Sequence, residues 1–195
     1  MKHILASVMI FLGGANLTAT GQSLSDGVNA FNAGNYIIAY KNLRPLAEQG
    51  DEYAQLNLGR LYESGNGVLQ DYEEAVKWYR LAAEQGNTTA QYNLGWMHEN
   101  GEGVLQDYTE AAKWYRLAAE QGNAEAKFNL AVMYEDGNGV LQDYVKAHMW
   151  ANIAAANGYD ALLRDSIAEN MTSAQIAEAQ RLARLCMASD YQDCD

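Results

Sequence analysis

The stretch DEYAQLNLGRLYESGNGVLQDYEEAVKWYRLAAEQG, residues 51–86, recurs twice more in the chain. Residues 87–122 read NTTAQYNLGWMHENGEGVLQDYTEAAKWYRLAAEQG, and residues 123–158 read NAEAKFNLAVMYEDGNGVLQDYVKAHMWANIAAANG. The period is 36 residues, and such a fixed period is typical of proteins built from stacked repeats. Parts of residues 34–50 match the second half of the same unit, so residues 22–50 are predicted to form a degenerate first repeat.

Each unit is predicted to form two helices. Apolar residues recur at spacings of three and four, as in Ala54, Leu58 and Leu61 and again in Ala75 and Tyr79. One such pair cannot bury its apolar face alone, so successive pairs must stack. The sequence therefore predicts an all-α solenoid of antiparallel helix pairs.

Glycines and aspartates mark the ends of these helices. Gly65 and Gly67 are expected to end the first helix and turn the chain back, because glycine adopts positive φ without steric cost. Asp71 and Glu74 have capping-box spacing at the start of the second helix, whereas the third copy has Lys146 at the glutamate position and a weaker cap is expected. Gly86, Gly122 and Gly158 are predicted to stop the second helices.

The first residues have the layout of a secretory signal peptide. Lys2 precedes an apolar run from Ile4 to Leu12, and a small, polar stretch follows. We expect residues 1–21 to be removed by cleavage after Gly21; the alternative, an uncleaved anchor, is disfavoured because a spanning helix needs about 20 apolar residues. The protein is therefore expected to be exported, to the periplasm or beyond it, with no membrane span after cleavage.

Export bears on the two cysteines, Cys186 and Cys194, which lie in the C-terminal segment 159–195. Disulfides persist in oxidising compartments, so we predict that the two residues pair and fasten a segment of capping helices. A reactive redox pair is the alternative, but the spacing is not Cys-x-x-Cys.

The charge balance favours some partners over others. The chain has 13 basic and 25 acidic residues, a net charge of −12, and loss of Lys2 with the signal peptide makes it −13. Such a field repels nucleic acid and attracts basic protein surfaces, although acidity can also serve solubility alone.

The units resemble Sel-1-like repeats, relatives of the tetratricopeptide repeat with a longer loop between the helices. The resemblance covers residues 34–158, and the tail is similar to the end of bacterial exported members. It implies a right-handed superhelical scaffold that binds protein partners through its concave face, often in the cell envelope or in contact with a host. One cysteine-rich branch binds penicillin-like compounds, but no repeat here contains cysteine.

In tetratricopeptide-like repeats the first helix of each unit lines the concave face. Carried over to this sequence, that implies a partner-binding surface at positions where the copies differ. Trp96 is the strongest anchor, because Arg60 and Val132 take its place in the other copies and tryptophan is enriched in binding hot spots. The alternatives are that these residues merely face water or belong partly to the core. The full set is Tyr53, Leu56, Arg60, Ser64, Thr89, Tyr92, Trp96, Asn100, Glu125, Phe128, Val132 and Asp136.

No pattern in the sequence supports catalysis. His98 and His148 lie outside any zinc motif, and neither has a nucleophile or orienting partner that can be named. Trp78, Trp114 and Trp150 repeat at the unit period, which indicates core packing. No metal or cofactor is indicated.

Three functions remain as hypotheses. The first is a non-enzymatic adaptor in the periplasm that binds an envelope protein. The second is a secreted or surface adhesin or effector that binds a host protein. The third, an enzyme of the penicillin-binding or β-lactamase kind, rests only on the cysteine-rich branch. The oligomeric state is open, since the curved face could also support a dimer.

Overall fold

The computed structural model describes residues 23–159, 161–192 and 194. The signal-peptide prediction for residues 1–21 lies outside these residues. Within them the chain forms ten helices and no strand. Their bounds are α1 Leu24–Asn32, α2 Tyr36–Glu48, α3 Glu52–Ser64, α4 Tyr72–Glu84, α5 Thr88–Asn100, α6 Tyr108–Glu120, α7 Ala124–Asp136, α8 Tyr144–Ala156, α9 Leu162–Ala168 and α10 Ser173–Ala188.

The helices follow the repeat. Each unit contributes a pair of 13-residue helices, α3 with α4, α5 with α6 and α7 with α8. From α1 to α9 each helix packs on the next one along the chain, and α10 returns to pack on α8. The prediction of an all-α solenoid is confirmed, with α1 and α2 as a further pair at the start.

The two glycines of each turn have different roles. Gly65 ends α3 in the left-handed region, with φ of 69°, and Gly67 follows with φ of 74°. The equivalent of Gly67 in the next unit, Gly103, lies against the start of α4, where a Cβ would stand 2.2 Å from the carbonyl oxygen of Tyr72. Here glycine is needed for its positive φ and also because two backbones approach closely.

The aspartate caps form, but the capping box does not. The Asp71 carboxylate accepts the Glu74 amide at 2.9 Å, as predicted. The Asp71 amide, however, donates to the Tyr62 carbonyl at 2.9 Å, so Glu74 has no free N-cap donor to bond. The third unit keeps the aspartate cap in full, with Asp143 accepting the amides of Val145 and Lys146, so the expected weakening at Lys146 is not observed.

Small and large side chains are matched between paired helices. Tyr115 is fully buried against Gly95, and its hydroxyl donates to the Glu99 carboxylate at 2.5 Å. Burial is the main cause that raises the pKa of Tyr115. Tyr79 makes the same contacts with Gly59 and Glu63 in the preceding unit. The third unit has alanine at both positions, Ala131 and Ala151, so the loss of the large ring coincides with the loss of the glycine.

A disulfide closes the C-terminal segment, as the cysteine placement predicts. Cys186 and Cys194 are bonded, with their Cα atoms 4.6 Å apart. The enclosed turn lays the Tyr191 ring 3.4 Å from the ammonium of Lys127, which is fully buried and also donates to the Asn157 side chain at 3.1 Å. Burial lowers the pKa of Lys127. The tail therefore covers a buried cation at the end of the repeat array.

Candidate protein-binding surface

The predicted site residues fall along the first helices α3, α5 and α7, and their exposure differs. We call them the first-helix stripe. Five are exposed: Tyr53, Ser64, Asn100, Glu125 and Asp136. Six are half-buried: Arg60, Thr89, Tyr92, Trp96, Phe128 and Val132. Leu56 alone of the set is buried.

Leu56 is the correction to the predicted set. It is 7% exposed and belongs to the core cluster that includes Ala75, Val76 and Tyr79. Its side chain therefore packs between helices and is not accessible to a partner. The sequence signalled this, because Tyr92 and Phe128 at the equivalent positions are also large and apolar.

Trp96 lies at the junction of two parts of the core. Its side chain packs on the cluster around Leu94 and also on the cluster around Leu130, while part of its surface stays exposed. A tryptophan held in this way presents a rigid apolar face at small entropic cost. Because it also packs between units, its replacement should lower stability as well as any binding.

Two aromatic contacts involve members of the stripe. The Tyr92 ring lies 5.7 Å from that of Tyr115, and the Phe128 ring lies 4.9 Å from that of Tyr159. The pKa of Tyr92 is raised by burial first, and then by Tyr159 and Glu125. Tyr159 therefore adds a second aromatic ring beside Phe128.

Tyr159 was not in the predicted set. It stands one residue past the third unit, at the position where Asn87 and Asn123 start the following units. An asparagine replaced by a tyrosine at this point was a signal in the sequence, but only the fold shows that its ring reaches Phe128.

Two polar members of the stripe bond to their own helix. The Asn100 side-chain amide donates to the Trp96 carbonyl at 2.8 Å, and the Ser64 hydroxyl donates to the Arg60 carbonyl at 2.8 Å. These bonds satisfy carbonyls near the helix C-termini, which have few partners within the helix. Ser64 and Asn100 therefore have a structural role in addition to their exposure.

The histidines occupy packing positions. His98 is 7% exposed, takes the place of Tyr62 and Tyr134, and has its Nε2 3.4 Å from the Arg80 guanidinium. Burial first, and Arg80 second, lower the pKa of His98. His148 is 2% exposed, and burial likewise lowers its pKa. In the part of the chain that the structure describes, no three His, Cys, Asp or Glu side chains cluster as metal ligands would.

None of the helices between Ser23 and Cys194, over the described residues, combines the length and apolar character that crossing a membrane requires. Their apolar side chains pack between repeats, in clusters that run from α1 to the C-terminal segment.

Stacked antiparallel helix pairs, with alanines that recur at fixed buried positions from unit to unit, define a tetratricopeptide-like repeat solenoid. The Sel1 repeat matches residues 52–87, 88–123 and 124–159. The chain belongs to the Sel1 repeat family, whose members generally serve as scaffolds for protein–protein interaction.

Solved structures agree with this assignment. The chain is similar to a Sel1 repeat protein from Oxalobacter formigenes, with 30% identity, a TM-score of 0.69, and coverage of 87% of this chain and 78% of the other. It is also similar to c5321, a protective antigen of uropathogenic Escherichia coli with an SLR fold, at 30% identity and a TM-score of 0.67. That match covers 85% of this chain but only 40% of c5321. No curated protein matches the chain.

Proposed function

We propose that the protein is a non-enzymatic adaptor of the bacterial cell envelope, which binds a partner protein through the first-helix stripe on the concave face of the solenoid. The observation that carries the proposal is a contrast within the first helices. Ala54, Ala90 and Ala126 recur there and are fully buried. Arg60 and Trp96, at one equivalent position of the first helices, differ in chemistry and are partly exposed.

The chemistry of the stripe suits a protein ligand. It combines aromatic side chains with an arginine and with carboxylates, a mixture that is typical of interface anchors surrounded by a polar rim. Tyr53 is 54% exposed, Trp96 is fixed by packing on the core, and the Phe128 ring contacts that of Tyr159. A partner would therefore meet rigid apolar anchors next to charged groups.

The envelope location rests on two features of the chain. The N-terminal segment has the layout of a signal peptide, and Cys186 and Cys194 are placed for a disulfide, which persists in oxidising compartments. Fractionation of cells that express the full chain tests this part: the adaptor proposal expects the mature protein in the periplasm.

A host-facing protein is the second candidate. The observation that favours it is the similarity to c5321, which is described as a protective antigen of uropathogenic strains. Protein exposed on the cell surface or released into the medium would support this candidate over the periplasmic adaptor.

The binding site is tested by quantitative affinity capture from an envelope extract with the mature protein as bait. The variant Tyr53→Ala/Arg60→Ala changes the stripe at two partly or fully exposed positions. The matched control is Lys77→Ala, because this side chain is 66% exposed on a second helix.

The proposal expects one or more proteins that the wild type and the lysine control retain and that the stripe variant loses. Purified candidates are then titrated against all three forms by calorimetry, with at least tenfold weaker binding expected for the stripe variant. Equal retention by the stripe variant, or loss with the lysine control alone, would contradict a binding site on the first helices.

A further inference from the structure

The turn between the two helices of each unit carries a leucine whose side chain is almost fully exposed. Leu69, Leu105 and Leu141 occupy equivalent positions and are 89%, 92% and 90% exposed. We name the three segments 63–74, 99–110 and 135–146, which hold these turns, the loop edge. Isolated exposed leucines are ordinary, but three at one position of successive units line up along one edge of a solenoid.

The neighbours of each leucine have structural roles, and the leucine has none. In the first unit Val68 packs on the core, and the Gln70 side chain donates to the Glu63 carbonyl at 2.8 Å and to the Tyr72 hydroxyl at 3.0 Å. Asp71 caps α4. The fold therefore explains why these residues recur, but it does not explain why leucine recurs between them.

The same contacts hold the turn rigid. Its two glycines are fixed in the left-handed region, and the bonds of Gln70 and Asp71 tie it to both helices. The next unit repeats the arrangement, with Gln106 donating to the Glu99 carbonyl at 2.8 Å. An apolar side chain presented by a fixed backbone loses little entropy when a partner covers it.

Shallow apolar grooves lie at two of the turns. A groove of about 550 Å³ is lined by Gly67 of the first turn and by Ile37 and Ile38, and the two isoleucines are 62% and 54% exposed. A second groove, of about 340 Å³, includes two residues of the third turn. It is lined by Thr109, Ala112, Lys113, Arg116, Leu117, Gly139 and Val140, and Lys113 is paired with Glu110 at 2.9 Å. The loop edge thus combines projecting leucines with hollows that can receive apolar side chains.

Acidic residues are concentrated on the same segments. They hold eleven of the 25 acidic residues of the chain, and Lys146 is their one basic residue among 13. The acids are Glu63, Asp71, Glu73 and Glu74 in the first segment, Glu99, Glu102, Asp107 and Glu110 in the second, and Glu135, Asp136 and Asp143 in the third. Two of these acids, Glu74 and Glu110, are paired with Lys77 and Lys113 just outside the segments, so the loop edge together with these lysines carries a net charge of −8, against −12 for the whole chain.

We propose that the loop edge docks a cationic amphipathic segment of a partner protein. Its apolar side chains cover Leu69, Leu105 and Leu141, and its lysines and arginines face the surrounding carboxylates. The negative field opposes an anionic lipid surface and a second copy of this acidic chain, and it favours a basic segment. The loop edge shares only Ser64, Asn100 and Asp136, at the ends of the first helices, with the first-helix stripe, so one solenoid can hold two binding segments.

The test uses the mature protein and two labelled helical peptides of equal length, one built from leucine and lysine and one from leucine and glutamate. Fluorescence anisotropy at low and at physiological salt gives the affinities. The variant Leu69→Gln/Leu105→Gln/Leu141→Gln removes the apolar row, and Glu73→Gln/Glu102→Gln removes two charges. The matched control is Leu162→Gln, since that leucine is 71% exposed away from the loop edge.

The proposal expects the leucine–lysine peptide to bind the wild type and the Leu162 variant alike, at least tenfold more weakly to the triple variant, and severalfold more weakly to the charge variant. The leucine–glutamate peptide should not bind. Equal affinity of the triple variant would overturn the proposal, as would stronger binding to phosphatidylglycerol vesicles than to the peptide. Self-association of the wild type that the triple variant abolishes would also overturn it and identify an interface between copies.

Discussion

Because Gly95 packs against Tyr115, we predict that Gly95→Ala destabilises the protein when Tyr115 is present and stabilises it when Tyr115 is replaced by alanine. A Cβ at residue 95 would lie 2.8 Å from Cδ1 and 2.9 Å from Cε1 of Tyr115, whereas ordinary contact begins at 3.4 Å. Tyr115 is fully buried, so the ring has no free space to move into. Overpacking of this kind costs about 1–3 kcal/mol, and the better helix propensity of alanine offsets about 1 kcal/mol. Gly95→Ala should therefore destabilise the wild type by up to about 2 kcal/mol.

The effect should reverse once the ring is gone. Tyr115→Ala alone should cost about 3–5 kcal/mol, as for other large aromatic truncations. In that background Gly95→Ala meets no ring and copies the Ala131 and Ala151 pair of the third unit, so it should stabilise by about 1 kcal/mol. The coupling between the two sites is then about 1–3 kcal/mol.

The assay is urea unfolding of the four proteins of this double-mutant cycle, followed by far-ultraviolet circular dichroism. Gly59→Ala is a second test of the same contact, because its Cβ would stand 2.6 Å from the Tyr79 ring. Ala131→Gly is the control in a unit that lacks the ring, and it should cost about 1–2 kcal/mol, from helix propensity and the loss of one buried methyl group. Equal destabilisation by Gly95→Ala with and without the tyrosine would refute the reasoning.

Three further predictions concern pH, the turns and the tail. Burial lowers the pKa of His98 in the folded protein, so its neutral form contributes stability above the unfolded pKa of 6.5, and this contribution is lost as the pH falls below that value. His98→Tyr should lessen this loss, which thermal melts at neutral and mildly acidic pH would measure. Gly103→Ala, which meets the Tyr72 backbone, should destabilise far more than Gly122→Ala, which has positive φ but nothing within 4 Å, and comparable urea midpoints would contradict the close approach. Reducing the disulfide should lower stability by about 2–3 kcal/mol for so short a loop, and Cys194→Ser should make the protein insensitive to reductant.

The fold could be predicted from the sequence because several separate signals in each unit mark the same two helices. The 36-residue period, the glycines at the turns and the aspartate caps all gave correct helix positions. The capping box at Asp71 and Glu74 was wrong for a non-local reason: the Asp71 amide bonds the Tyr62 carbonyl on the preceding helix. A short motif cannot reveal which backbone group already satisfies its donor.

The candidate surface was less predictable, because helical spacing does not tell how far neighbouring units cover a side chain. Leu56 is buried and Tyr53 is 54% exposed, although both were assigned to one stripe. Tyr159 reaches Phe128 only because the array ends there. Leucine recurs at residue 69 and its two equivalents, and only the structure shows that Leu69 is 89% exposed.

Site-specific photo-crosslinking in living cells tests the interaction surface most directly. A photoreactive phenylalanine analogue is placed at Glu125 on the first-helix stripe and, in a separate protein, at Glu84 on a second helix, both exposed positions. The account predicts that light produces a discrete crosslinked protein from residue 125 and not from residue 84. Crosslinks from residue 84 alone, or none from residue 125 while the protein is folded and exported, would contradict a scaffold that binds through its first helices.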